Sequence, residues 1–110
     1  MGKSGKERRR HRRIAKRLSV LIESGGSYSQ GHIKNLSKTG MLVRSSLLPE
    51  PGAEVRLKFE TLEGHKIEVS GRVRWTTAGL PKDEVQSAFG VLFEAPGEDY
   101  LEFFATLAES

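Results

Sequence analysis

The sequence predicts an all-β fold, a six-stranded antiparallel β-barrel with one helix at the C-terminal end. Six short windows have strand character, and the spacing of apolar residues becomes helical only in the last segment. The chain has 110 residues, of which 36% are hydrophobic, enough for one domain with a modest core. We expect closure into a barrel because it removes exposed edge strands from a small sheet.

Positive charge is concentrated at the N-terminus. Residues 1–17 contain nine lysines and arginines and one acid, whereas the remaining 93 residues contain nine bases and thirteen acids. Repulsion between like charges, and the lack of apolar residues after Met1, predict that residues 1–13 form a flexible arm, with the barrel domain at 14–110. The basic arm favours an anionic partner. The mildly acidic body argues against a general nucleic-acid binder, which is more often basic on its body as well.

The first three strands are predicted between residues 18 and 45. Apolar residues alternate with polar or small ones over residues 18–22, as in a half-buried strand. A hairpin turn is predicted at Gly25-Gly26-Ser27. The second strand is predicted at residues 28–36 and the third at residues 40–45.

The next three strands have clearer alternation. Residues 55–59 give the cleanest pattern, and a turn follows at residues 62–64. The fifth strand is predicted at residues 67–75, where the central Gly71 indicates a bulge or a bend. A polar loop over residues 76–87 leads to a sixth strand at residues 89–93.

A helix is predicted over about residues 98–109. Tyr100, Phe104 and Leu107 recur at helical spacing after the break at Pro96-Gly97, and acidic residues open the first turn, where they suit the helix dipole. Phe103 falls beside the main apolar stripe. It is therefore either part of a partner surface or partly buried against the barrel.

Catalytic and metal-binding signals are absent from the sequence. The chain has no cysteine, its three histidines (His11, His32 and His65) have no metal-ligand spacing, and it carries no nucleotide-binding or hydrolase motif. No apolar run approaches the ~20 residues of a membrane span. We therefore expect a non-enzymatic binding module without a metal or cofactor, soluble in the cytoplasm.

Two polar elements carry the functional information. Five of the six residues at 8–13 are arginines and none is lysine, and arginine binds phosphate bidentately and pairs with guanine. The second element is N-L-S-K-T-G, from Asn35 to Gly40. Asn35 and Ser37 are predicted on the same face of an extended segment, where both can shape a turn, and Gly40 permits a positive φ or a close backbone approach.

The combination of these elements resembles the PilZ domain family, which binds the bacterial second messenger cyclic di-GMP. An R-x-x-x-R motif from Arg9 to Arg13 precedes the first strand, and N-x-S-x-x-G lies between the second and third. The resemblance extends to G-M-L-V at residues 40–43, G-R-V-R-W at 71–75 and F-G-V-L-F at 89–93. It implies a six-stranded barrel with a terminal helix packed at one end.

The resemblance also implies roles for particular residues. Arg9 and Arg13 would bind phosphates and the Hoogsteen edge of a guanine, and Asn35 and Ser37 would bind the other guanine edge or its phosphate. Gly40 would let the strand approach without a side-chain clash. Family members carry Asp or Asn at the first position of the second motif. The uncharged Asn35 is expected to lower the affinity.

The choice of arginine frame depends on the residue that follows it. Ile14 directly follows Arg13 and is the apolar residue that leads into the first strand, so Arg9 and Arg13 fit the family best. Arg8 and Arg10 are then expected to add phosphate or base contacts. Arg12 and Arg17 are expected to face solvent. Trp75 is either an apolar wall beside the ligand or a core residue at the barrel end.

The implied function is that of a cyclic di-GMP receptor. The dianionic ligand, as one molecule or an intercalated pair, would order the arm on the barrel and change the surface that a downstream protein partner meets. Two alternatives stay open: a small barrel whose basic arm binds nucleic acid, and an adaptor that acts through protein contacts without a ligand. Low aromatic content argues against nucleic acid. We expect a monomer.

Overall fold

The chain folds into six strands and one helix in a computed structural model that describes residues 14–81 and 86–109, with side chains for 18–81 and 86–107. The elements are β1 Ile14–Ser24, β2 Ser27–Leu36, β3 Gly40–Arg44, β4 Glu54–Glu60, β5 Lys66–Thr76, β6 Ala88–Phe93 and α1 Glu98–Glu109. The strands are antiparallel in the order β1-β2-β3-β6-β5-β4, and β1 pairs with β4 to close the barrel. The predicted fold is confirmed, whereas the arm at residues 1–13 lies outside the described residues.

The core fills the inside of the barrel. In β4, Val55, Leu57 and Phe59 point inward and are buried, while Arg56 is exposed on the outside. The same inward pattern in the other strands and in α1 produces one continuous apolar cluster. The alternation of apolar and polar residues predicted the strands because one face of each strand meets solvent and the other meets the core.

The helix α1 covers one end of the barrel. Tyr100 and Phe104 are buried, and the Tyr100 ring makes edge-on contacts with Phe93 and Phe59 at centroid distances of 4.9 Å and 6.5 Å. Phe103 is half-buried, with its ring 5.4 Å from that of Phe59, so it packs partly against the barrel. Within the described ranges, no helix has the length and apolar character of a membrane span.

The irregular position in β5 differs from the predicted one. The register of β5 against β6 shifts between Val73 and Trp75, so the bulge lies at Arg74 and not at Gly71. Gly71 is needed for space, because a Cβ there would lie 2.7 Å from Val91 Cγ1 and would collide with the Leu92 carbonyl.

The bulge determines which way Trp75 faces. A regular strand would direct Trp75 into the core together with Val73, since side chains two residues apart share a face. The extra residue, Arg74, instead turns Trp75 outward, and its side chain is 46% exposed. The reading of Trp75 as a core residue at the barrel end is therefore wrong.

Candidate functional site

The strand register places the start of β1 beside the N-x-S-x-x-G motif. In the β1–β2 pair, Ile14 lies opposite Leu36 and Ala15 lies opposite Asn35. In the sequence, Arg13 directly precedes Ile14, the residue at which β1 begins. Four arginines predicted to bind the ligand lie outside the described residues: Arg8, Arg9, Arg10 and Arg13.

A row of paired residues crosses the outside of the barrel at the N-x-S-x-x-G motif. Asn35 pairs with Leu42, Leu42 with Gly90, and Gly90 with Trp75. We call these four residues the outer-face row. A shallow concavity of about 570 Å³ lies over it, and its lining also includes Ser37 and Gly40 among others. The structure therefore places Asn35, Ser37, Gly40 and Trp75 around one surface. Sequence reasoning missed Leu42 and Gly90, because only the register shows that they belong to it.

The indole of Trp75 lies directly on Gly90. A Cβ at Gly90 would be 2.7 Å from Trp75 Cε2 and 3.1 Å from Cδ1, so only glycine leaves room for the ring to lie against the sheet. The result is a flat, half-exposed aromatic surface in the same row as the polar Asn35. Such a surface suits the face of a planar base.

Ser37 shapes the loop between β2 and β3. Its hydroxyl accepts hydrogen bonds from the backbone N–H groups of Thr39, at 3.2 Å, and Gly40, at 3.1 Å, and its own N–H donates to the Gly40 carbonyl at 2.9 Å. Only 3% of Ser37 is exposed. Since β2 ends at Leu36, Ser37 lies in the loop and not on a strand face shared with Asn35, which corrects the expectation from their spacing.

The helix holds the same loop from the other side. The Tyr100 hydroxyl donates a hydrogen bond of 2.6 Å to the Ser37 carbonyl, and both groups are buried. Burial raises the pKa of the Tyr100 phenol well above its usual range, so the group remains a donor at physiological pH. The conformation of the loop therefore depends on the docking of α1.

Gly40 is required by the neighbouring strand. It does not adopt a positive φ, and a Cβ at this position would collide with the carbonyl oxygen of Val91 in β6. The close approach predicted for Gly40 is therefore an approach by protein backbone.

The surroundings of the outer-face row are positively charged. Within the part of the chain that the structure describes, Arg56 and Arg72 form ion pairs with glutamates, whereas Lys34, Arg44 and Arg74 form none. Arg74 lines the concavity, Lys34 precedes Asn35, and Arg44 lies two residues beyond Leu42. No group of three His, Asp or Glu side chains among the described residues is arranged to hold a metal. The donor set suits an anion.

The fold is similar to three solved structures. The Bacillus subtilis inhibitor of motility (MotI/DgrA) matches with a TM-score of 0.72 and 21% identity, over 93% of this chain and 49% of that one. Borreliella burgdorferi PlzA in complex with c-di-GMP matches with a TM-score of 0.68 and 23% identity, over 94% of this chain and 42% of that one. The PilZ domain of CeSA from a cellulose-synthesizing bacterium has a TM-score of 0.62 at 17% identity, over 86% and 91% of the two chains.

These likenesses establish the fold, and a sequence match establishes the family. The chain spans about half the length of the first two structures or less. A search of curated proteins gave no match. The sequence model of the PilZ domain matches residues 7–105, a range that includes both motifs, all six strands and most of α1. The chain therefore belongs to the PilZ domain family.

Proposed function

We propose that this chain is a cyclic di-GMP receptor domain that binds its ligand over the outer-face row. The observation that carries the proposal is the register of β1 on β2, which starts β1 one residue after the arginine motif and opposite the first two residues of N-x-S-x-x-G. Family membership supports it, as does the fold likeness to PlzA, which was solved with c-di-GMP.

The chemistry of the surface matches that of a cyclic dinucleotide. The ligand carries two phosphates and two guanines, so it needs cationic forks, a polar partner for a base edge and a flat apolar contact. Arg9 and Arg13 supply the forks, Asn35 the polar partner and Trp75 the flat contact. Arg8 and Arg10 are adjacent arginines that add phosphate contacts.

Ser37 and Gly40 contribute by holding the loop in shape. The Ser37 hydroxyl is already engaged with two backbone N–H groups, and Gly40 is packed against β6. We therefore assign both a positioning role, which for Ser37 replaces the direct contact that the resemblance implies. The loop keeps the end of β2, and with it Asn35, in a fixed place.

Binding is proposed to order the N-terminal arm. Residues 1–17 carry nine basic residues and one acid, so a bound dianion relieves repulsion between them. Lys34, Arg44 and Arg74 favour the approach of the anion because they raise the local positive potential. The ordered arm then changes the surface that a downstream partner meets, and this change is the signal.

Calorimetric titration with cyclic di-GMP tests the proposal, with GTP as the control ligand. The Arg9→Ala/Arg13→Ala double variant should lose at least about 100-fold in affinity, since each charge-assisted contact contributes about 1.5–3 kcal/mol. The matched Arg12→Ala/Arg17→Ala variant removes the same charge from the same segment and should stay within about threefold of the parent. Amide exchange at residues 1–13 should slow on binding.

Four outcomes would count against the proposal. Equal losses in the two double variants would show a general charge effect without a defined site. A parent that binds an RNA oligonucleotide and ignores cyclic di-GMP would favour the nucleic-acid alternative. A parent that binds neither would favour the adaptor alternative, and unchanged amide exchange in the arm would remove the proposed signal.

A further inference from the structure

A second concave surface lies between α1 and the β4–β5 turn. Its floor is formed by Leu18, Phe103 and Leu107, which are half-buried against the core, and one wall is Leu62 in the turn. The volume is about 460 Å³. We call this surface the α1–turn groove, and it has no lining residue in common with the concavity over the outer-face row.

The turn holds Leu62 out in solvent. Leu62 is 84% exposed, the highest value among the large apolar side chains whose exposure the structure describes. The turn is fixed by hydrogen bonds from the Thr61 N–H to the His65 carbonyl, the Gly64 N–H to the Thr61 carbonyl, and the His65 N–H to the Thr61 hydroxyl. A single exposed leucine is ordinary, but this one borders a groove with an apolar floor.

The charges along the groove are mainly negative. Glu63 in the turn and Asp99 and Glu102 on α1 line it, against one lysine, Lys66. The only ion pair described for these acids is a 4.0 Å approach of Glu63 to the exposed His65. A segment that fits this surface therefore needs apolar side chains for the floor and cationic side chains opposite the carboxylates.

We propose that the α1–turn groove binds a basic amphipathic segment of a partner protein. Complementarity in both charge and apolar character selects this class of occupant. The chain's own N-terminal arm matches the carboxylates but has no apolar residue between Met1 and Ile14 to fill the floor. The groove is a second surface, independent of cyclic di-GMP, and it gives the domain a place to contact a partner with its helix.

The groove residues allow clean substitutions. Leu62→Ser removes an exposed side chain, and the Glu63→Lys/Glu102→Lys double variant reverses charge at exposed positions, so none of these changes disturbs the core. Matched controls are Leu80→Ser and the Glu50→Lys/Glu54→Lys double variant, which alter exposed residues outside the groove. The folding of each variant is checked by its amide spectrum.

The test is an NMR titration of the whole chain with a synthetic amphipathic Leu/Lys peptide and a matched Leu/Glu peptide. The Leu/Lys peptide should shift amide signals at residues 61–66 and 98–107. Both groove variants should weaken its binding at least about fivefold, whereas the controls should not. The Leu/Glu peptide should not bind.

Several results would overturn the proposal. Amide shifts that map outside residues 61–66 and 98–107 would show that the peptide binds elsewhere. Peptide binding that Leu62→Ser does not weaken would show that charge attraction alone is responsible. If deletion of residues 1–13 shifts groove signals in the free protein, the arm is the occupant. If groove signals move with protein concentration alone, the occupant is a second copy. None of these readouts involves cyclic di-GMP, so they are separate from the test of the proposed function.

Discussion

Two short connections of the barrel both contain glycine, yet they are built differently. In the β1–β2 turn, Gly25 and Gly26 have positive φ values of 59° and 83°, and a Cβ on either would meet no atom within 4 Å. In the β2–β3 loop, Gly40 has no positive φ, but a Cβ would collide with the Val91 carbonyl. The first glycines provide a backbone conformation, whereas the second provides space.

The difference shows which connection can serve as a binding element. The β1–β2 turn is exposed and touches little, so changes there stay local. The β2–β3 loop is held by β6 at Gly40, by the Ser37 hydroxyl within the loop, and by Tyr100 from α1. A loop fixed from three directions positions Asn35 at little entropic cost on binding.

Gly40→Ala should have the largest effect on stability. The new Cβ must displace a backbone carbonyl in the β3–β6 ladder, where Gly40 pairs with Leu92, so we expect a loss of about 3 kcal/mol in denaturant unfolding. The control Gly26→Ala has open space and carries only conformational strain, about 1 kcal/mol. Equal losses in the two variants would contradict the distinction between space and conformation.

Tyr100→Phe should have an intermediate effect. The ring and its packing remain, but the buried Ser37 carbonyl loses its donor, and we expect a loss of about 1.5 kcal/mol. Cyclic di-GMP affinity should fall as well, because the loop is less firmly held. A variant as stable as the parent would show that α1 does not anchor the loop.

The same variant has a pH signature with a defined sign. A tyrosine in the unfolded chain ionises near pH 10, whereas burial raises the pKa of Tyr100 well above that range. Its contribution to stability is therefore fully present below about pH 10 and declines as pH rises further. Tyr100→Phe should lack this decline, and an identical alkaline profile in both proteins would contradict it.

Gly25→Asn should have the smallest effect. Asparagine tolerates a φ near 59°, and Asn-Gly is favoured in two-residue hairpin turns with positive φ at both positions. The free energy of unfolding should change by less than about 0.5 kcal/mol. A loss above about 1 kcal/mol would show that the turn makes contacts beyond its own backbone.

The fold was largely predictable because its determinants are local. Residues 55–59 of β4 alternate between the core and solvent, and α1 shows its apolar face at helical spacing, so pattern alone identifies both. The β1–β2 turn was predictable for the same reason, since two adjacent glycines indicate positive φ. β4 still needs its neighbours for pairing, since Val20 of β1 lies opposite Phe59, but the pattern that identifies each element is visible within its own segment.

The site was predicted less completely because its geometry depends on distant partners. The buried carbonyl of Ser37 accepts a hydrogen bond from Tyr100, which is 63 residues away in the sequence. Trp75 faces outward because of a bulge at Arg74 that the alternating pattern does not show. Gly71 marked a position where a side chain does not fit, but its presence alone did not distinguish a bend or bulge from close packing against the next strand. Leu42 and Gly90 join the surface only through the register.

Trp75 has a practical consequence, since it is the single tryptophan of the chain. Its half-exposed indole lies on Gly90 over the candidate ligand surface and is not among the groove residues. The native protein thus carries an intrinsic fluorophore at the concavity over the outer-face row. Emission from that indole distinguishes events at the barrel face from events at the helix, without any label attached to the chain.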